Sequence, residues 1–334
     1  MAKHKSITWL STKNDLNVCR RNNGNIDFDR YRRSKLKAVE SHTKIPLVAY
    51  ATDFMNAAKV KACQGQVDIS LSDLQGFQEI IKDIPDGPLD VLLHSPGGSP
   101  EAAESIVNVL RQRFNPIRFI IPVVAKSAAT MLALSGNEIL MPPSAELGPI
   151  DPQFRLSDSA GGVVFTPAQV LIDQFEQAQQ EIAGNPKLAA MWAPILQRYG
   201  PGLYQMSLNA IDLSKILVKQ WMTSYMLNGN PNADQIANDL VSFLVDHNTF
   251  KSHGRRIDLA ELQSRGVVAK DIRIVDPMLW QRIEEAWYAI EHTFEGTGVF
   301  KCFENSKERG FFRVAQVIVQ AIPGGPKLPV RQTP

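Results

Sequence analysis

Ser127 and the glycine pair Gly97-Gly98 are the residues whose types suggest covalent chemistry. A serine hydroxyl can attack a carbonyl carbon when a neighbouring base takes its proton. Glycines have no side chains, so their backbone N–H groups can come close to a substrate oxygen that gains negative charge. We therefore predict an acyl-transfer site with Ser127 as nucleophile. The predicted oxyanion hole consists of the backbone amides of Gly97, Gly98 and Ala128.

Each of these motifs also has a purely structural interpretation. The glycine pair could simply form a tight turn between a strand and a helix. Ser127 could cap a helix by accepting a hydrogen bond from a backbone N–H group. Only the combination of the two motifs favours the catalytic interpretation over these alternatives.

The surrounding pattern predicts elements that bring the two motifs together. Apolar runs at 89–93 and 117–124 are typical of buried strands, and helical patterns follow them at 100–114 and 127–135. Strands that alternate with helices and are apolar throughout predict a parallel sheet covered on both faces. In such sheets ligands bind beyond the carboxyl ends of the strands, where both motifs would lie.

Changes in composition divide the chain into segments. Residues 1–44 are polar and basic, and we interpret them as an N-terminal extension, a solvated or loosely packed arm. Residues 45–276 carry the strand and helix pattern of the main domain. A helical extension is predicted for 277–323, and a disordered tail for the Gly- and Pro-rich 324–334.

The 334 residues include 36 basic and 34 acidic side chains, a net charge of +2 that favours no polyanionic partner. We expect no nucleic-acid partner. The three cysteines, Cys19, Cys63 and Cys302, are widely spaced and fit a reducing compartment, so we expect a cytoplasmic protein. No signal peptide and no run of 18 apolar residues occurs, so contact with a membrane surface has no support from a spanning segment. No metal-ligand or nucleotide-binding motif is present, and no cofactor is expected.

Two longer stretches resemble a known family. "LLHSPGGSPEAAESI" and, further along, "IPVVAKSAATMLALSGNEILMPPSAELGPIDPQ" are similar to the Clp protease and crotonase superfamily. The similarity is greatest to signal peptide peptidase A and its relatives in the serine dehydrogenase proteinase family. The resemblance implies a spiral of ββα units with a mostly parallel sheet and additional C-terminal helices, assembled into homo-oligomers. It also implies that Ser127 is the nucleophile and that Gly97 and Gly98 serve the oxyanion hole.

The resemblance implies a lysine as the general base. Clp proteases have a histidine soon after the serine, but 146–153 contains none. Signal peptide peptidase A uses a downstream lysine, which must be neutral and therefore must have a lowered pKa. Between Ser127 and Lys215 only Lys187 is available. We predict Lys187 as the base, although a solvated lysine in a turn is the alternative.

Four further residues are weaker candidates for the site. Lys215 is a fallback base, and His253 is an alternative base in a segment that the family returns to the sheet near its active site. Asp151 could orient a base or cap a turn, and His94 could line the pocket.

The sequence therefore predicts a serine endopeptidase that forms an acyl-enzyme on Ser127 and acts on a peptide or protein substrate. A catalytically inactive scaffold or binding subunit of the same fold is the first alternative. A crotonase-like enzyme acting on an acyl-coenzyme A is the second, and the serine in the AKSAAT stretch argues against it.

Overall fold

The computed structural model describes residues 7–157, 162–200 and 202–315. Its strands are β1 (Leu47–Thr52), β2 (Gly87–His94), β3 (Phe114–Ile120), β4 (Val124–Ala125), β5 (Glu138–Met141), β6 (Glu146–Leu147), β7 (Gln153–Ser157), β8 (Val163–Pro167), β9 (Ala269–Asp271), β10 (Val299–Asn305) and β11 (Gly310–Val314). Its helices are α1 (Trp9–Val18), α2 (Phe28–Thr43), α3 (Ala57–Ala62), α4 (Leu74–Ile80), α5 (Pro100–Arg111), α6 (Ala128–Leu134), α7 (Ala168–Gly184), α8 (Ala189–Leu196), α9 (Leu203–Trp221), α10 (Ala233–Val245), α11 (His247–Phe250), α12 (Leu259–Ser264), α13 (Ile272–Val275) and α14 (Pro277–Gly296).

A seven-stranded sheet in the order β11-β10-β1-β2-β3-β5-β9 forms the centre of the structure. Strands β1, β2, β3, β5 and β9 are parallel, whereas β10 and β11 form an antiparallel edge. Two small sheets, β4–β6 and the hairpin β7–β8, lie outside it. The predicted α/β class with a mostly parallel sheet is confirmed.

Side chains along the central strands alternate between two apolar cores. In β1, Val48 and Tyr50 belong to one core, and Leu47, Ala49 and Ala51 belong to the other. Helices α4, α5, α6, α9 and α10 cover the first core, whereas α2 and α14 cover the second. Because both faces are covered, all six residues of β1 are buried, which explains the continuous apolar run in the sequence.

The N-terminal segment is not the loosely packed arm that its basic composition suggested. Helix α2 packs along α14 and buries Leu36 and Val39 completely. Arg32 is also fully buried, where it pairs with Glu304 of β10 and donates to Thr293 at 2.9 Å. A buried, hydrogen-bonded ion pair of this kind fixes the helix to the sheet, since removing either partner would leave an uncompensated charge.

The prediction of a helical extension at 277–323 needs a correction. Within the described part of this segment, residues 277–315, α14 is the only helix, and β10 and β11 join the main sheet beside β1. The strand pattern of β10 is obscured by Lys301 and Glu304, which are buried but paired: Nζ of Lys301 lies 2.7 Å from a carboxylate oxygen of Asp73. The predicted disordered tail, 324–334, lies outside the described residues. Within the described ranges no helix is long and apolar enough to cross a membrane.

Candidate active site

Ser127 sits at the junction between β4 and α6 in a conformation that L-residues rarely adopt. Its φ of 50° and ψ of −123° lie on the left-handed side of the map, which costs roughly 1–3 kcal/mol for a residue other than glycine. Its side chain makes no capping hydrogen bond to α6. The hydroxyl group is therefore not used as a helix cap, in contrast to the structural interpretation of this serine.

The glycine turn after β2 lies directly against Ser127. A Cβ atom on Gly97 would lie 2.6 Å from Cβ of Ser127 and 2.5 Å from the carbonyl oxygen of Lys126. Gly97 and Gly98 have φ values of 98° and 151°, so side chains are excluded by conformation as well as by space. The glycines therefore bring the backbone of one junction into contact with the serine of the other.

Two backbone amides beside Ser127, those of Gly98 and Ala128, make no hydrogen bond to the described residues. Gly98 forms a parallel bridge with Ile69, in which the flanking groups of Gly97 and Ser99 make the hydrogen bonds, at 2.6 and 2.9 Å. The N–H group of Gly98 itself is consequently directed away from Ile69. Neither this amide nor that of Ala128 has an acceptor among the described residues. The amide of Gly97, by contrast, donates to Oγ of Ser95 at 3.2 Å.

His253 and Asp151 form a pair beside a cleft that Ser127 also lines. The cleft has a volume of about 540 Å³, and its lining includes Gly97, Gly98, Ser127 and His253. Nδ1 of His253 lies 2.6 Å from Oδ1 of Asp151, whose side chain is only 2% exposed. Because Nδ1 is engaged, Nε2 is the ring nitrogen left to exchange a proton with a substrate or nucleophile.

His247 is a part of this arrangement that sequence reasoning missed. Its Nδ1 lies 3.0 Å from Oδ2 of Asp151, so one carboxylate contacts two imidazoles. No sequence motif predicts this contact, because His247 is the first residue of the short helix α11 and lies far from Asp151 along the chain. The only available signal was its position shortly before His253.

Several contacts fix the loop that carries His253. Backbone groups of Leu147 and Ile257 exchange two hydrogen bonds, at 2.9 and 3.0 Å. Nζ of Lys126 donates to the carbonyl oxygens of Leu147 and Arg255, at 3.0 and 3.2 Å, and lies 2.7 Å from Glu146. Lys126, which precedes Ser127, thus connects the loop that carries His253 to the β4–β6 pair.

Asp151 is held by the turn before it. Oγ1 of Thr130, in α6, accepts from the amide of Gly148 at 3.1 Å and donates to the carbonyl oxygen of Ala125 at 2.8 Å. The amide of Ile150 donates to Leu244 at 2.8 Å. The carboxylate therefore reaches the histidines from a turn anchored to the helix that Ser127 begins.

The other predicted site residues lie elsewhere. Lys187 is exposed in a 3₁₀ turn, Pro186–Leu188, and is not among the residues lining the cleft. Lys215 is half-buried on α9 and does not line the cleft either. His94 is buried on the α14 face of the sheet, where its ring packs against Phe54 and Trp287. Burial lowers the pKa of His94 to about 3.

A smaller cavity of about 170 Å³ opens beside Ser127. It shares Gly98, Pro100 and Ser127 with the cleft. Its walls are mainly apolar and include Met131, Ile150, Phe154, Ala210 and Leu213. Its size and polarity suit one aliphatic side chain. The described residues contain no cluster of His, Cys, Asp or Glu that could hold a metal ion.

Residues 68–177 match the family model of the ClpP-like SDH-type serine proteinases. The resemblance predicted from the sequence is thereby confirmed over this segment, and the match supports a serine peptidase. The segment includes the glycine pair, Ser127 and Asp151. It ends before Lys187 and His253, so it does not distinguish between the candidate bases.

Two uncharacterised proteins of Methanocaldococcus jannaschii are 37% and 36% identical to the chain over 86 residues. The match covers 25% of this chain and 30% of each relative, so it spans less than a third of their length. Similar solved structures include two of a membrane-bound stomatin-specific protease, both at 19% identity. A serine-to-alanine mutant has a TM-score of 0.35 and matches over 62% of this chain and 78% of its own. A lysine-to-alanine mutant in complex with a substrate peptide has a TM-score of 0.34 and matches over 61% and 71%.

Proposed function

We propose that this protein is a serine endopeptidase that uses Ser127 as nucleophile and His253, oriented by Asp151, as general base. The observation that carries this proposal is the shared cleft: Ser127 and His253 both line it, and a buried carboxylate holds the far nitrogen of the histidine. A serine, histidine and aspartate in these roles are recognised by geometry rather than by order in the sequence.

In the proposed reaction, Oγ of Ser127 attacks the carbonyl carbon of a peptide bond and its proton passes to Nε2 of His253. The carbonyl oxygen becomes an oxyanion that accepts hydrogen bonds from the free amides of Gly98 and Ala128. The C–N bond then breaks, and the leaving amine takes the proton from His253. Water attacks the resulting ester in the same way, and it releases the carboxylic acid product and free Ser127.

The role of Gly97 differs in this proposal from that of Gly98. Its amide is already engaged by Ser95, so Gly97 shapes the turn and lets it approach Ser127. Of the three candidate amides, those of Gly98 and Ala128 have no acceptor among the described residues, and they are the donors to the oxyanion.

Because the cavity beside Ser127 is mainly apolar, the proposed substrate is a peptide with an aliphatic residue immediately before the cleaved bond. Leu213 and Met131 offer no hydrogen bond and no charge to that side chain. An acidic side chain placed there would lose its hydration and lie near the carboxylate of Glu101, which also lines the cavity, so acidic residues are disfavoured at this position.

Labelling with a fluorophosphonate, followed by intact-protein mass measurement, tests the assignment of nucleophile and base. One adduct is expected on the wild type and on Lys187→Ala, and none on Ser127→Ala. In His253→Gln the labelling rate should fall at least about 100-fold, since general-base help contributes about that much or more.

Two outcomes would contradict the proposal. Loss of the adduct in Lys187→Ala, with His253→Gln labelled at the wild-type rate, would transfer the base role to the lysine. A wild type that forms no adduct and cleaves no peptide would favour a catalytically inactive scaffold. Circular dichroism on each variant shows that a lost adduct reflects chemistry rather than unfolding.

A further inference from the structure

A second cavity lies on the face of the sheet opposite to Ser127. It has a volume of about 300 Å³ and adjoins Thr52 and His94, the last residues of β1 and β2. The carboxyl ends of parallel strands are a common place for ligand sites. Its remaining walls come mainly from α14, through Trp287, Glu291 and Phe294. None of its lining residues lines the Ser127 cleft, and we refer to it as the α14 cavity.

Two buried polar side chains of the α14 cavity lack partners. Nδ1 of His94 and Oγ1 of Thr52 have no hydrogen-bond partner in the described part of the chain, although the two residues are 1% and 0% exposed. Leaving a buried polar atom unpaired costs about 1–3 kcal/mol. Unpaired groups that line a cavity are therefore suited to contact a ligand or its bound water.

The charges at the α14 cavity leave one carboxylate without a counter-ion. Asp53 pairs with Lys59 at 2.9 Å, and Glu295 pairs with Lys13 at 3.5 Å. Glu291 lines the same cavity, forms no ion pair with any described residue, and accepts a hydrogen bond from the side chain of Trp287. Burial, together with the carboxylates of Glu295 and Asp53, raises the pKa of Glu291 to about 7. A nearby cation would relieve this unfavourable environment.

Aromatic rings line the α14 cavity beside Glu291, and one of them, Trp287, donates a hydrogen bond to its carboxyl group. Trp287 and Phe294 line the cavity, and the ring of His94 lies 4.3 Å from that of Trp287, centroid to centroid. Aromatic faces attract cations, and the attraction increases when the cation loses its water. An acidic group among aromatic walls therefore selects an organic cation over an anion or a strongly hydrated metal ion.

We propose that the α14 cavity binds a monovalent organic cation, an alkylammonium or alkylguanidinium group, with Glu291 as its counter-charge and Trp287 as its aromatic wall. The ring of Phe294 already has Nζ of Lys59 at 5.5 Å from its centroid. The buried imidazole of His94 and the hydroxyl of Thr52 supply polar contacts at the inner end. This proposal is independent of Ser127 and of any peptidase activity.

Calorimetric titration with n-butylammonium and n-butylguanidinium chloride tests this site, and 1-butanol serves as the neutral control of similar size. At least one cation should bind saturably with a dissociation constant below about 10 mM, and the alcohol at least about tenfold more weakly. The Glu291→Gln variant should lose at least about tenfold in cation affinity. The matched control is Glu284→Gln, another partly buried carboxyl group on α14 that does not line the cavity.

A measurement on the unmodified chain covers the case in which Glu291→Gln does not fold. Added cation should shift the ¹⁵N imidazole resonances of His94, assigned from their loss in His94→Gln, while 1-butanol at the same concentration should not. N-acetyl-lysine methylamide and N-acetyl-arginine methylamide distinguish two sources of the cation. Binding of either indicates a peptide side chain, and binding of the butyl cations alone indicates a free small molecule. The proposal is overturned if neither butyl cation binds, if butanol binds equally well, or if Glu291→Gln binds like the wild type.

Discussion

The carboxylate of Asp151 holds two imidazoles at once, with Oδ1 at 2.6 Å from Nδ1 of His253 and Oδ2 at 3.0 Å from Nδ1 of His247. Only His253 also lines the cleft that contains Ser127. The arrangement therefore fixes the ring of one histidine at the cleft, while the second histidine occupies the other oxygen and limits rotation of the carboxylate.

Replacing Asp151 with asparagine should slow acylation of Ser127 by about 10²–10⁴-fold, because an amide nitrogen cannot accept the Nδ1–H hydrogen bond and the histidine would adopt the wrong tautomer. The rate of fluorophosphonate labelling measures this effect. His247→Gln is the matched control, since it removes the imidazole that lies outside the cleft, and labelling should stay within about threefold of the wild type. Equal slowing in both variants would show that Asp151 acts through the fold rather than through His253.

A methyl group at Gly98, in the variant Gly98→Ala, should slow labelling of Ser127 by about 10²–10³-fold. Its Cβ would lie 2.2 Å from the carbonyl oxygen of Ile69, so the turn must move and the free amide of Gly98 moves with it. Removing one oxyanion donor costs about 10²–10³ in rate. Gly24→Ala is the control, because Gly24 also has a positive φ, of 81°, but no atom within 4 Å of an added Cβ. Gly24→Ala should label normally, and labelling of a folded Gly98→Ala at the wild-type rate would exclude this turn from the oxyanion hole.

Leu213→Phe should narrow the preference for the residue before the cleaved bond. The larger ring would fill part of the 170 Å³ cavity, so kcat/KM for peptides with leucine at that position should fall about tenfold or more relative to peptides with alanine. Ile216→Phe is matched on the same helix, where its side chain is 60% exposed. Profiling with a peptide library measures both, and an unchanged leucine-to-alanine ratio in Leu213→Phe would place the specificity pocket elsewhere.

The buried imidazole of His94 should make the fold sensitive to acid. Burial lowers its pKa to about 3, so the unfolded chain binds a proton below pH ~6.5 that the folded chain does not bind. The free energy of unfolding therefore falls as the pH falls through this window, by up to about 1.4 kcal/mol per pH unit.

Urea unfolding of the wild type and of His94→Phe, at pH 7.5 and pH 5, measures this contribution. The phenylalanine keeps an aromatic ring against Phe54 and Trp287 but cannot titrate. Between these pH values the wild type should lose about 2 kcal/mol more than the variant. The buried imidazole of His292, whose pKa burial lowers to about 4, is present in both proteins and cancels in the comparison. Equal losses would mean that His94 does not remain neutral in the folded state at pH 5.

The junctions at Gly97-Gly98 and Ser127 could be predicted because their signals are local. Apolar runs identify β2 and β3, and the breaks after them identify the turns, so the sequence places both motifs at one end of a parallel sheet. The contact between the two turns depends on the order of the strands in the sheet. The sequence pattern is compatible with this order but does not specify it. The strained φ of Ser127 has no sequence signal, since serine itself does not require it.

The choice among bases could not be made from the sequence. His253 meets Asp151 only because Leu147 and Ile257 pair across a long separation in the chain and Lys126 binds the carbonyl oxygen of Arg255. Such contacts depend on the tertiary fold, and the hydrophobic periodicity of the sequence does not predict them. The prediction of Lys187 as the base rests on its position along the chain after Ser127. That position does not indicate that Lys187 lies in an exposed turn.

At both ends of the described chain, buried ion pairs make core segments resemble exposed segments in the sequence. Arg32 and Glu304 look like surface residues singly, yet each is fully buried because the other compensates its charge. The same holds for Lys301 and Asp73. A hydrophobicity pattern treats such residues as exposed, so it assigns α2 to an arm and overlooks β10.

The position of β10 also determines the order in which the sheet can be completed. Strand β1 lies between β2, which follows soon after it in synthesis, and β10, which leaves the ribosome after every other described strand except β11. Until β10 has been synthesised, one edge of β1 has no neighbouring strand, and Arg32 lacks its ion-pair partner Glu304. A growing chain can thus assemble the parallel strands around Ser127, but β1 gains its second neighbour, and Arg32 its partner, only after β10 has been synthesised.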